Sequence, residues 1–318
     1  MLSDLQHQDD ALRFLRRVVE GHITNPLLFV GTEGVGRRFA AFQTTRELFC
    51  TGDKTTTCAC VDCVQLAQSM HPDLLQISPQ DGKDIGIDVA RGMLDTLGTY
   101  PTQAPFRVVI LDGADRLTTP AANALLKTLE EPPATARIFL LAESASRVLP
   151  TIRSRCGLLN FLPLPEPFVH SRVQQFESNP EKALVYARLS AGSVGRAIQY
   201  WGSGRLALRD KALSLLTYAL TKDIPGIFLL VDQLEKDLPL TLRFLGTITH
   251  DLMMLGVVPD RIVNLDIAES LRKMPPPFPD AWIRLHRSVE SLLALYRGTK
   301  VQLGFHTKAI LVETFVGA

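Results

Sequence analysis

No run of about 18 apolar residues, the length a membrane-spanning helix needs, occurs in the sequence. The N-terminal segment Met1-Leu-Ser-Asp-Leu-Gln-His-Gln-Asp-Asp10 is too polar for a secretory signal, so a cytoplasmic protein with no membrane partner is expected. Charge of one sign is scarce as well. Lys and Arg number 34 against 33 Asp and Glu, a net charge of +1, which argues against gripping nucleic acid mainly through a broad basic surface. A modest basic patch remains open. Internal repeats and low-complexity tracts are absent. Only five cysteines occur, and in a reducing compartment they read as metal ligands or free thiols rather than a disulfide framework. What is present is globular: 318 residues, 46% hydrophobic and 21% charged, room for two or three domains and too apolar for wholesale disorder.

The segment Gly31-Thr-Glu-Gly-Val-Gly-Arg-Arg38 follows the apolar run Leu27–Val30 and precedes a helix-like stretch, the setting of a phosphate-binding loop. The working pattern, G-x-x-x-x-G-K-S/T, places its lysine on the β/γ-phosphates and its hydroxyl on Mg²⁺. Gly31 and Gly36 keep that spacing, but Arg37 replaces the lysine and Arg38 the hydroxyl residue. A guanidinium cannot ligate a cation, and its bulk fills the metal's place. The loop reads as an architectural remnant, with no functional ATP site. A second nucleotide-site element is the run Val108–Leu111 ending in Asp112. A working ATPase commonly follows that acid with a glutamate that polarises water, and Gly113 stands there instead. Many α/β turns end in aspartate, so Asp112 gains meaning only beside the altered loop.

Thr151-Ile-Arg-Ser-Arg-Cys156 lies just after Pro150. Arg155 reads either as a surface arginine near a helix start or as one projecting from the sheet's edge into a neighbouring subunit. Supplied in trans, an arginine that neutralises charge on a transferred phosphoryl group is worth ~10³–10⁵ in rate. Arg153 is the second candidate; two residues apart on a helix, the two face different ways and do not both serve one phosphate. Arg196, in Gly192-Ser-Val-Gly-Arg-Ala197, reads either as a nucleotide-sensing lid arginine or as a solvent-facing residue at a helix start.

Cys50, Cys58, Cys60 and Cys63 fall within 14 positions, and four thiolates so close suit a tetrahedral structural zinc site. Cys60-x-x-Cys63 has the usual spacing, while Cys58-x-Cys60 is tighter. Buried free thiols or a redox pair are the alternatives. His71 is a reserve ligand, although His71-Pro-Asp73 more simply shapes the start of the strand that follows.

Leu27–Val30, Leu74–Ile77, Val108–Leu111 and Ile138–Leu141 alternate with helical patterns, which predicts an α/β unit with a parallel sheet covered on both faces. A helix is predicted over 120–131, with Thr119 as N-cap, Pro120 at its first position and Pro132-Pro133 as its stop. Leu125, Leu126 and Leu129 are its buried stripe; Lys127, Glu130 and Glu131 are expected in solvent. The prolines of Leu162-Pro-Leu-Pro-Glu-Pro167 read as a linker, dividing a core over 1–165 from a small helical unit over 166–206 and a helical region over 207–318. Pro275-Pro-Pro-Phe-Pro279 predicts a long loop within the last.

Together, the altered loop, the cysteine insert over 50–63, His71-Pro-Asp73, Ile85-Gly-Ile-Asp-Val89, Asn123-Ala-Leu-Leu-Lys-Thr-Leu-Glu-Glu-Pro-Pro133 and Ser154-Arg-Cys156 resemble the delta-prime family of bacterial DNA polymerase III clamp-loader subunits, within the AAA+ superfamily. The match is densest over residues 20–160. Beyond about residue 205 it extends only to helical character and length. The resemblance implies an AAA+ P-loop core, a small helical lid and a C-terminal all-helical collar. It implies an accessory subunit of a DNA-directed DNA polymerase holoenzyme without activity of its own. Such a subunit sits with the clamp-loader ATPase subunits and the delta subunit in a hetero-pentameric ring that loads the sliding clamp on primed DNA. The family's trans-acting arginine corresponds to Arg155, and its zinc ligands to Cys50, Cys58, Cys60 and Cys63. An ATP-hydrolysing subunit of the same complex or a P-loop kinase would each need the lysine and hydroxyl missing at Arg37 and Arg38. A stand-alone zinc-binding interaction module would leave most of the patterned chain without a purpose.

Overall fold

The computed structural model describes residues 1–80, 83–258, 261–274, 276, 280–298 and 303–315. The proline run over 275–279 lies, apart from residue 276, outside the described residues. Two compact units divide the chain, Met1–Pro165 and Glu166–Ala318, so the boundary falls inside the proline-rich segment.

The first unit is built on five parallel strands: β1 Leu27–Val30, β2 Leu74–Ile77, β3 Arg107–Asp112, β4 Ala136–Ala142 and β5 Gly157–Asn160, in the spatial order β2-β3-β4-β1-β5. The first four coincide with the apolar runs; β5 was not anticipated. It is an edge strand of four residues in which only Leu159 is buried, so it carries no hydrophobic run to announce it. Register is set by alternation. Phe29 pairs with Leu141 and Val30 with Ala142, while β5 pairs Phe29 with Leu159.

Side chains of period two serve two cores. Phe29, Val108, Ile110, Phe139 and Leu141 face one way and meet Leu15 and Val18 of α1 (Asp9–Val19) and Ala40, Ala41 and Phe49 of α2 (Arg37–Phe49). The α3 helix, Val61–Ala67, adds Leu66 to this side. Leu28, Val109, Leu111, Ile138 and Leu140 face the other way. There they meet Met93 and Leu97 of α4 (Ile87–Leu97), Leu125 and Leu129 of α5 (Thr119–Glu130) and Ile152 of α6 (Pro150–Arg153). Each fully buried chain of this size stabilises by about 1.5–3 kcal/mol. The N-cap of α5 is Thr118, one residue earlier than expected, its Oγ1 accepting from the Ala121 N–H at 3.4 Å. Pro120 therefore sits at the second helical position.

The start of β2 is fixed by one buried carboxylate. Asp73 is fully buried and accepts hydrogen bonds from the backbone N–H groups of Thr102, Gln103 and Ala104 at 2.7, 2.7 and 2.9 Å, and from Arg107 at 3.1 Å. One side chain thus ties the β2 start to the turn before β3.

The second unit is helical: α7 Glu166–Val173, α8 Pro180–Leu189, α9 Val194–Gly202, α10 Ala207–Leu220, α11 Ile224–Leu234, α12 Leu238–Met254, α13 Ala268–Arg272, α14 Ala281–Gly298 and α15 Leu303–Phe315. Helices α7–α9 pack on one another, and α12 packs between α10 and α14. Buried Asp251 accepts from the backbone N–H groups of Val263 and Asn264, both at 2.8 Å, which holds the segment before α13 against α12. No helix among the described residues is long and apolar enough to cross a membrane.

Burial opposes the charge of Asp73, but three N–H groups and Arg107 hold its carboxyl below the usual carboxylate range. Asp73→Ala is expected to destabilise the protein by about 3–5 kcal/mol in denaturant unfolding, since it strands a buried guanidinium and three N–H groups. Because the folded pKa is depressed, this stabilisation is complete above the unfolded value of about 3.9 and is lost as pH falls through the lower folded value. The acid limb of a stability–pH curve should accordingly be steeper for wild type than for Asp73→Asn.

Candidate functional site

The phosphate-loop segment leaves the carboxyl end of β1, beside β4, at the edge of the sheet where Asp112 ends β3. Its glycines are required by geometry. A Cβ on Gly31 would stand 2.5 Å from the Phe161 carbonyl oxygen, and Gly34 and Gly36 have φ of 77° and 108°. Gly36 caps α2 without any side-chain acceptor, and the first turn carries no acid. Arg37 is only 8% exposed, and its Nη1 meets no acceptor among the described residues. Arg38 is exposed and donates to Gln76 Oε1 at 3.1 Å. Burial pushes the Asp112 carboxyl above its ordinary range, against the pull of Arg37 and then Arg38. The neighbouring Gly113 has φ of 93°, and a Cβ there would lie 2.8 Å from Pro79 Cγ. The position where a water-polarising glutamate is expected is thus closed to any side chain without movement of Pro79.

Arg155 lies in the turn between α6 and β5, beyond the helix that ends at Arg153. Its Nε and Nη2 donate to Glu130 Oε2 at 3.2 and 3.1 Å, and Nη1 donates to the Thr151 carbonyl at 3.0 Å. Glu130, expected to be solvated only, is thus also an ion-pair partner. Arg153 is exposed and reaches the Ala145 carbonyl at 3.4 Å. In the second unit, Arg196 donates its backbone N–H to Ser193 Oγ, the N-cap of α9, and its Nη1 to the Ser190 carbonyl at 3.2 Å.

The four cysteines converge. Cys50 closes α2, Cys60 caps α3 and Cys63 lies in the first turn of α3. All four sulfurs lie within 4.8 Å of one another, with Cys50–Cys58 at 3.6 Å and Cys50–Cys60 at 4.0 Å, and none is in a disulfide. Sulfurs about 2.3 Å from a common tetrahedral ion stand about 3.8 Å apart, so the spacing fits a metal ion. A Cβ on Gly52 would meet Cys58 Sγ at 2.6 Å, which makes Gly52 part of the cradle. Burial opposes ionisation of Cys60, yet hydrogen bonds from Cys63 and Thr51 bring its thiol down to about 6. Burial pushes Cys63 up to about 12. The guanidinium of Arg46 beside Cys63 is stabilised in its charged form by that sulfur, and it also donates to the Thr56 carbonyl at 2.9 Å.

His71 is not placed as a ligand. Its Nδ1 accepts the Asp73 N–H at 3.1 Å, so the ring proton sits on Nε2, which faces Asp62 Oδ1 at 3.2 Å. Asp62 also accepts from Gln103 at 2.6 Å and Thr51 at 3.2 Å. Sequence reasoning missed Asp62, Arg46, Gly52 and Glu130. The position of Asp62 between Cys60 and Cys63 was the available signal for the first; the others act through contacts that spacing does not reveal.

The family model described as DNA polymerase III, delta subunit matches residues 7–165. DNA polymerase III subunit delta' of Escherichia coli (strain K12) is 31% identical over 253 residues, spanning 78% of this chain and 74% of that protein. The subunit of the same name from Bacillus subtilis (strain 168) is 28% identical, spanning 71% and 69%. Among solved structures, a DNA polymerase III gamma subunit-related protein of Thermotoga maritima matches with 23% identity and a TM-score of 0.47, covering 91% of this chain and 99% of that one. The first unit is an α/β core, a parallel sheet between two helical layers, and the chain belongs to the delta-prime family of DNA polymerase III subunits.

Proposed function

We propose that the chain is a non-hydrolysing clamp-loader subunit, which completes a ring with ATPase subunits and a delta subunit and helps load the sliding clamp on primed DNA. The observation that carries this reading is the loss of nucleotide chemistry at three points while the loop's shape is retained. Arg37 and Arg38 replace the lysine and the hydroxyl, and Gly113 is held by its backbone and by Pro79 where the base would stand. An accessory role in the cytoplasm follows, with the α7–α9 segment over 166–206 as lid and residues 207–318 as collar.

Arg155 is the residue proposed to act in trans. Its pairing with Glu130 is partly exposed on both sides, 31% and 62%. Such pairs are worth about 0–1 kcal/mol, small beside the ~10³–10⁵ in rate an arginine supplies to phosphoryl transfer. Release of Arg155 from Glu130 toward a neighbouring subunit's phosphate therefore costs little. The four cysteines are proposed to hold zinc, which would supply structural cross-linking of the 50–63 insert and no reaction chemistry. Cys50 and Cys63 would tie the insert to α2 and α3.

Purified protein is expected to show no turnover of ATP·Mg²⁺. Hydrolysis that vanishes in Asp112→Ala, and so is not a contaminant, would overturn the non-hydrolysing reading.

Metal analysis of protein prepared without chelators should find about one zinc ion per chain. Cys60→Ser should lose it, and Gly52→Ala should weaken retention by displacing Cys58. Cys156→Ser, which alters the cysteine outside the cluster, should leave metal content unchanged. Metal-free wild type would favour the free-thiol alternative.

In assembled complexes, Arg155→Ala should change stability by no more than about 1 kcal/mol while lowering clamp-stimulated ATPase in part and loading on primed DNA more strongly. Arg153→Ala is the comparison. Impairment by Arg153→Ala alone would reassign the residue, and full activity of both variants would remove the trans-acting role.

A further inference from the structure

The helical unit holds a pair of imidazoles on facing helices, remote in sequence from every residue considered above. Helices α12 and α14 pack against each other, and their contacts run antiparallel. A Cβ on Gly246 of α12 would stand 3.1 Å from Glu290 Oε1 and 3.7 Å from Val289 Cγ1 of α14. Thr249, one turn further along α12, meets His286, one turn back along α14. His250 lies beside His286 in the same groove, with ring centres 6.3 Å apart and ring planes at 55°. Both rings are partly exposed, so solvent and ions reach them.

Hydrogen bonds decide which nitrogen of each ring is bare. Thr249 is fully buried, and its hydroxyl donates to the Gly246 carbonyl at 3.0 Å. With its one proton so used, the hydroxyl can only accept from His286 Nδ1, also 3.0 Å away. His250 Nδ1 lies 3.4 Å from Asp251 Oδ1. That carboxylate is buried, accepts from the Val263 and Asn264 N–H groups and has no proton to give when ionised. Nδ1 therefore carries the proton in both neutral rings, and both Nε2 atoms keep their lone pairs. Neither Nε2 has a hydrogen-bond partner among the described residues. A histidine whose ring N–H is held by an oxygen, with the other nitrogen bare, is in the tautomer that ligates metal.

We propose that His250 and His286 bind a divalent transition-series cation through their Nε2 atoms, at a second metal site that clamps α12 to α14. An ion about 2.1 Å from each Nε2 brings two ring centres to about 5–6 Å, which a small side-chain rotation reaches from the present separation. Imidazole selects zinc or nickel over Mg²⁺, which takes oxygen ligands. Glu290 stands one turn from His286 on α14, and its carboxylate reaches Gly246, one turn before His250 on α12. Its charge favours a cation in this groove. Among the described residues only the four cysteines form a ready group of three or more ligands. At the helix pair the protein supplies two nitrogens, and water fills the remaining positions. Such an ion binds the folded helix pair and not the unfolded chain, so it stabilises the pair by linkage.

The test is titration calorimetry of the untagged full chain, first saturated with zinc and desalted so that the cysteines hold their ion. Zn²⁺ and Ni²⁺ are the probes, and Mg²⁺ is the comparison. One further saturable site is expected for Zn²⁺ and Ni²⁺ and none for Mg²⁺. His250→Asn and His286→Asn should each weaken it by about tenfold or more, since even an outer-shell partner of a metal ligand is worth ~10–100-fold. The asparagine amide can take over the Nδ1–H bond to Asp251 or Thr249 but puts nothing in the place of Nε2, so ligation is lost while the helix contact is kept. His22→Ala, which removes an exposed histidine of the first unit, should bind as wild type does. Added zinc should raise the melting temperature of wild type and not of either asparagine variant. No saturable second site below about 1 mM would overturn the proposal. So would wild-type affinity in a folded His250→Asn or His286→Asn, equal binding of Mg²⁺, or a wild-type melting temperature that zinc leaves unchanged. None of these results bears on the non-hydrolysing function, which rests on residues 37, 38 and 113.

Discussion

The buried carboxylate of Asp73 is the constraint on which the first unit turns. It gathers three backbone N–H groups from residues 102–104 and the Arg107 guanidinium. Those contacts bring the start of β2 to the start of β3, and parallel strands have no short turn to do this for them. The same carboxylate's residue gives its own N–H to His71, which leaves the other ring nitrogen to hold Asp62 between two cysteines. A chain of hydrogen bonds therefore runs from the sheet to the cysteine cluster. The insert over 50–63 is thus tied to the core by hydrogen bonds as well as by its cysteines.

The phosphate loop separates shape from chemistry. Its glycines answer to packing and backbone conformation: Gly31 lies against the Phe161 carbonyl, and Gly36 takes a left-handed conformation to start α2. Those demands persist whether or not a nucleotide is hydrolysed. A lysine and a hydroxyl at positions 37 and 38 answer to no such demand, since in a working loop they serve the phosphates and Mg²⁺. The remnant therefore keeps its outline after its lysine and hydroxyl are gone. Gly113 reinforces this separation, because Pro79 and a positive φ close the place a catalytic glutamate would take.

Electrostatic strength differs sharply among the arginines. Arg107 is bound to a fully buried acid and belongs to the fold. Arg155 is held by a half-open pair with Glu130 and a backbone carbonyl, contacts that water can replace at little cost. Arg37 is buried with a donor unmet. Three guanidiniums that sequence alone presents as equivalent thus differ in burial and in what holds them.

By itself the sequence determined the four apolar strands, the α5 stripe of Leu125 and Leu129 (Leu126, expected with them, is only partly buried), the proline boundary near residue 165 and the chemistry missing from residues 37 and 38. These are legible because strand and helix periodicity, proline geometry and motif spacing are local properties of the chain. Edge strand β5 was not legible, since it borrows its register from β1 and buries only Leu159. The N-cap at Thr118 rather than Thr119 turned on which hydroxyl could reach the Ala121 N–H. Convergence of the cysteines within 4.8 Å, the removal of His71 from the ligand set by Asp62 and Asp73, and the pairing of Arg155 with Glu130 were decided only by tertiary structure. Each depends on a contact between residues distant along the chain, and such contacts exist only once the sheet has brought its neighbours together.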